Sequence, residues 1–192
     1  LLQPKFKDIK PICSVSVQAI FNETFQEGFN TVLEGGFDEP LYLPAASNSP
    51  AKVLFRDDYV SSALHEISHW VVAGESRRLL EDYGYWYETD GRDLAQQKKF
   101  EQVEVKPQSI ELLLHFAAGL KFRVSVDNLA LPDYDSAPFE VAVKKQVERF
   151  LDEGSGELLP VRAVSFIRSL FRFRGVSFND TSDLFKHLAT AV

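Results

Sequence analysis

Apolar side chains recur at helical spacing along most of the chain, and the exceptions mark its turns. Val17, Ile20, Phe21 and Phe25 fall on one side of a helix over about Val15 to Gln26, with Gly28 just past its end. An irregular stretch follows, within which PLYLP (Pro40 to Pro44) and KVLFR (Lys52 to Arg56) read as short strands. Their prolines stand where an edge strand tolerates them. Asp57 and Asp58 offer N-caps to a helix running to about Ala73, where Gly74 suits a left-handed C-cap; Val60, Leu64, Ile67 and Val71 form its stripe. A short helix over Glu75 to Asp82 leads into an aromatic run (Tyr83, Tyr85, Trp86, Tyr87) and a turn at Asp90 to Asp93. The next helical stretch contains Pro107, which removes a backbone donor, so it reads as two helices or one kinked one.

KFRVSV (Lys121 to Val126) alternates polar and apolar residues in strict period two, the clearest strand signal in the chain. Helical spacing then returns over Pro138 to Leu151, Pro160 to Phe173 and Thr181 to Ala191. The sum is an α+β fold, a helix-rich single domain with a small sheet, spanning residues 1–192 with 1–14 and 176–192 peripheral.

Composition narrows the function. Hydrophobic residues are 45% and charged residues 26%, as in an ordinary globular domain. A net charge of -7 has the wrong sign for a protein that neutralises phosphates, so nucleic acid is not an expected partner. No apolar run approaches the roughly 20 residues that cross a bilayer, and the first residues lack a signal-peptide core. The only cysteine, Cys13, cannot form an internal disulfide. Together these features predict a soluble, cytoplasmic protein with no membrane partner. The chain contains no Met, so residue 1 is not expected to be the native start.

The sharpest chemical signal is His65-Glu66-Ile67-Ser68-His69. Histidines four apart on a helix stack on one face and can grip one ion, and both stand beside the Leu64 and Ile67 stripe, at the border of core and cleft. A third ligand is needed. Glu104, bracketed by Val103 and Val105, reads as a buried carboxylate in need of a partner and is the first choice, with Glu101 the alternative; Gln108 shares their face. The competing reading of either glutamate is a solvated helix face. His115 reads as a satisfied core residue and His187 as part of an exposed terminal helix.

Two histidines and a carboxylate support two chemistries. Tetrahedral zinc leaves one water, with Glu66 as catalytic base of a peptidase or amidase; octahedral iron(II) leaves room for dioxygen and substrate, as in an oxygenase. Spacing and composition leave both open. A closed structural site is disfavoured, since such sites usually have four protein ligands, often thiolates, and the lone cysteine lies far from the motif.

The motif with Trp70, then Gly84-Tyr85-Trp86-Tyr87, Asp90-Gly91-Arg92-Asp93, FEQVEVKPQ (Phe100 to Gln108) and Asp127-Asn128-Leu129 resembles the bacterial elongation factor P hydroxylase family, in order and in spacing. DEPLYLP (Asp38 to Pro44) adds to the resemblance, which covers roughly Val15 to Leu151 and carries nothing functional onto residues 152–192. It implies a non-haem metal hydroxylase that adds one hydroxyl to the lysine side chain of elongation factor P already extended with β-lysine, as the last step of that modification. It implies a fold unlike the jelly-roll of 2-oxoglutarate oxygenases and a metal held by His65, His69 and Glu104. The implied cofactor is a divalent metal, Fe(II), with dioxygen as cosubstrate; use of 2-oxoglutarate is left open.

A substrate carrying two ammonium groups favours carboxylates and aromatic faces, which the segment Tyr85 to Asp93 supplies. Tyr85, Trp86, Asp90 and Asp93 are therefore the expected substrate contacts, against the plainer reading of core aromatics and a turn. Asp127 and Asn128 are candidates for orienting a metal-bound histidine, and Arg168, Arg172 and Arg174 for a small basic docking patch.

Overall fold

The computed structural model describes residues 12–84, 91–128, 130–131, 133–152 and 154–191. Its elements run α1 (Ser14–Phe29), β1 (Thr31–Phe37), β2 (Leu41–Leu43), β3 (Ala51–Arg56), α2 (Val60–Val72), α3 (Leu94–Ala118), α4 (Ala137–Leu151), α5 (Val161–Phe173) and α6 (Thr181–Leu188). Two short 3-10 turns, Arg77–Leu79 and Glu81–Gly84, connect α2 towards α3. This is the expected helix-rich domain with a small sheet. Among the described residues no helix is long and apolar enough to cross a membrane.

The sheet has the order β1-β3-β2, with β1 parallel and β2 antiparallel to the central β3. Sequence pattern finds β2 and β3 but reads β1 as irregular, because Gly35 and Gly36 interrupt it. Those glycines are what the sheet requires. A Cβ on Gly35 would come within 2.3 Å of the Phe55 ring, and Gly36 at φ +95 bulges the strand. Asn22 of α1 then pins β1, accepting from the Leu33 amide at 2.7 Å.

The helix ends depart from the local signals. At α1, Asn30 rather than Gly28 takes the left-handed position, at φ 46. Asp57 and Asp58 do not cap α2; its N-cap is Tyr59, with no side-chain bond. Its C-cap, Ala73, is extended, and Gly74 is not left-handed. Instead Arg78 donates to the Ala73 carbonyl at 2.8 Å and Arg162 to that of Val71 at 3.2 Å, so guanidinium groups satisfy the end of the helix and oppose its dipole. The expected Glu75 to Asp82 helix is replaced by the two 3-10 turns. Across the second, Asp82, Tyr83 and Gly84 all adopt positive φ (45, 58 and 71).

α3 is one continuous helix of 25 residues through Pro107, and burial of its second half overrides the local cost of the proline. Lys121 to Val126 forms no strand. The burial alternation is present, with Phe122, Val124 and Val126 half-buried and their neighbours exposed, but among the described residues no β-strand pairs with it. Its backbone pairs with glutamine side chains of α3: Gln108 with both the amide and the carbonyl of Ser125, and Gln97 with the carbonyl of Val126 at 3.0 Å. Residues 121–128 are a strap on the helix.

The core gathers around Trp70 of α2, with Phe21 and Phe25 of α1 and Phe166 of α5. Phe25 lies 4.8 Å from Trp70 and 5.0 Å from Phe21 between ring centroids. α6 buries Leu184 and Leu188, and His187 is not exposed as expected but packed among Phe116, Phe171 and Phe178. Of the arginines expected to make a basic patch, Arg168 bonds Thr181, Arg172 is exposed and Arg174 donates to the Ala117 carbonyl at the end of α3.

Phe25→Ala removes the ring shared by three elements and should cost about 3–5 kcal/mol by urea denaturation; a loss below about 1 kcal/mol would contradict this packing.

Candidate metal centre

α2 packs on α3 with its histidines turned towards that helix. The apolar residues Ala63, Leu64, Ile67, Trp70 and Val71 bury one face of α2, which leaves His65 and His69, one turn apart, at the edge of the contact. Their Nε2 atoms lie 3.1 Å apart. Glu104 reaches them from α3, with Oε1 3.4 Å from His69 Nε2 and Oε2 4.0 Å from His65 Nε2. These three residues are the one group among those described whose ligand atoms lie close enough to hold an ion, within 4.8 Å of one another. Two neutral-capable imidazole nitrogens and one buried carboxylate oxygen are a donor set that fits a divalent metal.

The electrostatics follow from burial. Glu104 is 2% exposed; burial alone would raise its pKa, but His69, His65 and a hydrogen bond from Gln108 together hold it down, at about 2. Burial would lower the pKa of His65, yet the carboxylates of Glu111, Glu66 and Glu104 outweigh it and hold the imidazole up at about 10. A bound dication would take the place of that proton. Glu66, the central carboxylate of the motif, is raised by burial against the opposing pull of His65 and His69.

Glu111 is the residue that sequence reasoning missed. Its Oε2 bonds His65 Nδ1 at 2.9 Å, leaving Nε2 to face the cluster. A carboxylate behind a ligating histidine fixes both tautomer and ring orientation. The signal was spacing, since Glu111 stands seven residues after Glu104 and so returns to the same face of α3. The expected candidates for that role, Asp127 and Asn128, are engaged elsewhere. Asn128 donates to the Arg92 carbonyl at 2.9 Å and to Gln97 at 3.0 Å, and Asp127 pairs with Arg92.

Glu101 stands apart from the cluster, and Gln97 donates to it at 3.5 Å. His115 is a satisfied core residue, bonded to the Glu111 carbonyl at 3.0 Å. Tyr85, Trp86, Tyr87 and Asp90 lie outside the described residues, but both flanks of their segment are anchored. Tyr83 stacks on Tyr42 at 4.3 Å, Asp82 accepts from the Tyr42 amide, and Arg92 is buried over the Phe100 ring. Asp93 caps α3, its Oδ1 accepting from the amides of Ala95 and Gln96 at 2.8 Å, so a substrate contact would have to use its other oxygen.

The family model for Elongation factor P hydroxylase matches residues 20–184. The chain belongs to the elongation factor P hydroxylase family. Elongation factor P lysine hydroxylase of Haemophilus influenzae is 49% identical over 156 residues, covering 81% of this chain and 85% of that protein. The match to the family continues through α5 into α6, further than the motifs alone reach. Membership separates the two chemistries left open by the His-Glu-x-x-His spacing: this is a hydroxylase family, and the peptidase alternative falls away.

Replacing Glu111 by Leu should weaken binding of a divalent metal about 10- to 100-fold, while Glu111→Gln, which keeps an acceptor for His65 Nδ1–H, should lose much less. Equal losses in a metal titration of the two variants would contradict an orienting role.

Proposed function

We propose that this chain hydroxylates the lysine side chain of elongation factor P already extended with β-lysine, using iron(II) and dioxygen, as the last step of that modification and in the cytoplasm. Family membership supports the reaction and the protein substrate. The observation that carries the metal part is the gathering of His65, His69 and Glu104 at the interface of α2 and α3. Iron(II) held by two imidazoles and one carboxylate would leave positions for dioxygen and substrate; one oxygen atom would enter the side chain and the other leave as water, with two electrons drawn from a separate reductant or oxidisable cosubstrate.

The chain's own residues supply binding and order. Glu104 offsets the charge of the ion from a buried position, and Glu111 keeps His65 in one orientation. Trp86, Tyr85 and Asp90 receive the two ammonium groups of the substrate, with the remaining oxygen of Asp93 near the end of the same segment; aromatic faces and carboxylates are the groups that recognise such cations when water is excluded. Glu66, beside both histidines in the motif, is the catalytic candidate that holds or passes a proton at its carboxyl group.

Peptide mass spectrometry of β-lysylated elongation factor P, incubated in air with iron-loaded protein and an added chemical reductant, tests the reading. A gain of one oxygen atom on the modified lysine is expected, absent with His65→Ala. No gain with well-loaded metal would overturn it. Combined Trp86→Ala and Asp90→Ala changes should lower kcat/KM about tenfold or more with metal binding intact, and normal turnover would remove them from the substrate site.

A further inference from the structure

Glu104, Gln108 and Glu111 lie at i, i+4 and i+7 on α3 and share the face turned to α2. Glu111 orients one ligand; Gln108 is placed to act on another. Its side chain is fully buried, and its amide is engaged at both ends. Nε2 donates to Glu104 Oε2 at 3.2 Å and to the Ser125 carbonyl at 2.8 Å, while Oε1 accepts from the Ser125 amide at 2.9 Å. The two backbone groups of Ser125 read the two ends of the amide. A flipped amide would set Oε1 against both the Ser125 carbonyl and the Glu104 carboxylate, so the strap at 121–128 forces the N–H edge towards Glu104.

The two oxygens of Glu104 are thereby made unequal. Oε2 carries the hydrogen bond from Gln108, and Oε1 is the oxygen nearer to a ligating nitrogen, 3.4 Å from His69 Nε2. We propose that Gln108 is a positioning residue that restricts Glu104 to one-oxygen ligation, keeping a coordination position free that a two-oxygen carboxylate would fill. The inference rests on the reading of His65, His69 and Glu104 as the metal centre. The strap acts on that centre through Gln108, because the backbone of Ser125 sets which edge of the amide the carboxylate meets.

Infrared difference spectra of the wild-type protein, iron(II)-loaded minus metal-free and without oxygen, read the ligation mode directly. A wide separation of the antisymmetric and symmetric carboxylate stretches is expected, as for one-oxygen binding; a narrow one, as for two-oxygen binding, overturns the proposal. Gln108→Met keeps the length of the side chain and removes the donor. It should narrow the separation and weaken iron(II) binding about tenfold or more. Gln97→Met is the control, since Gln97 also holds the strap, through Val126, and makes no bond to Glu104. It should leave the separation unchanged; the same narrowing in both variants would assign the effect to loss of the strap and overturn the clamp. Should Gln108→Met fail to fold, the wild-type spectrum decides alone. Failure of the wild type to bind iron(II) would defeat the metal reading itself, whereas binding with a narrow separation defeats only the role of Gln108.

Discussion

A carboxylate buried between two helices must be paired, and the structure is arranged around that requirement at Glu104. Removing its partners would leave an uncompensated charge where water cannot reach, a loss of the order of 3–5 kcal/mol. His65 and His69 meet it from α2, and Gln108 meets it from its own helix. This fixes the facing of α2 and α3 more tightly than apolar packing alone. The aromatic core around Trp70 lies on the opposite side of α2 and holds that helix in place, so the histidines need no support from solvent-exposed loops.

From this contact outward, each added element narrows the freedom of one ligand. Glu111 orients His65, and Gln108 orients Glu104. The strap orients Gln108 and is itself held by Gln97 and Arg92 around the start of α3, Gln97 through the Val126 carbonyl and both through the side chain of Asn128. Arg92 and the Tyr42–Tyr83 stack anchor the two flanks of the segment expected to receive the substrate. The flank of that segment at Arg92 and the cluster at Glu104 are therefore joined through Gln97 and Gln108 of α3, by way of the strap.

How much of this is legible in the sequence depends on how local each cause is. The histidine pair is visible because an i, i+4 spacing on an apolar-striped helix is a local property, and Glu104 because helical periodicity brings it to the buried face. The helices and two of the three strands follow from periodicity in the same way. β1 is hidden because Gly35 answers to Phe55, twenty residues later in the chain and visible only once the sheet is formed. The strap alternates as a strand does, since one side of it is half-buried, but periodicity cannot report that its hydrogen-bond partners are side chains. Of the two arginines that cap α2, Arg78 is local to Gly74, but Arg162 comes from α5, far along the chain, and no signal near Gly74 announces it.

The proposed hydroxylation depends on one ion at one place. Diffraction from anaerobic crystals grown with iron(II), recorded on both sides of the iron absorption edge, tests it most directly. One anomalous peak about 2 Å from His65 Nε2, His69 Nε2 and a single oxygen of Glu104 is the predicted result. A peak ligated by Glu101, or a well-loaded crystal with iron held away from these three side chains, would contradict it.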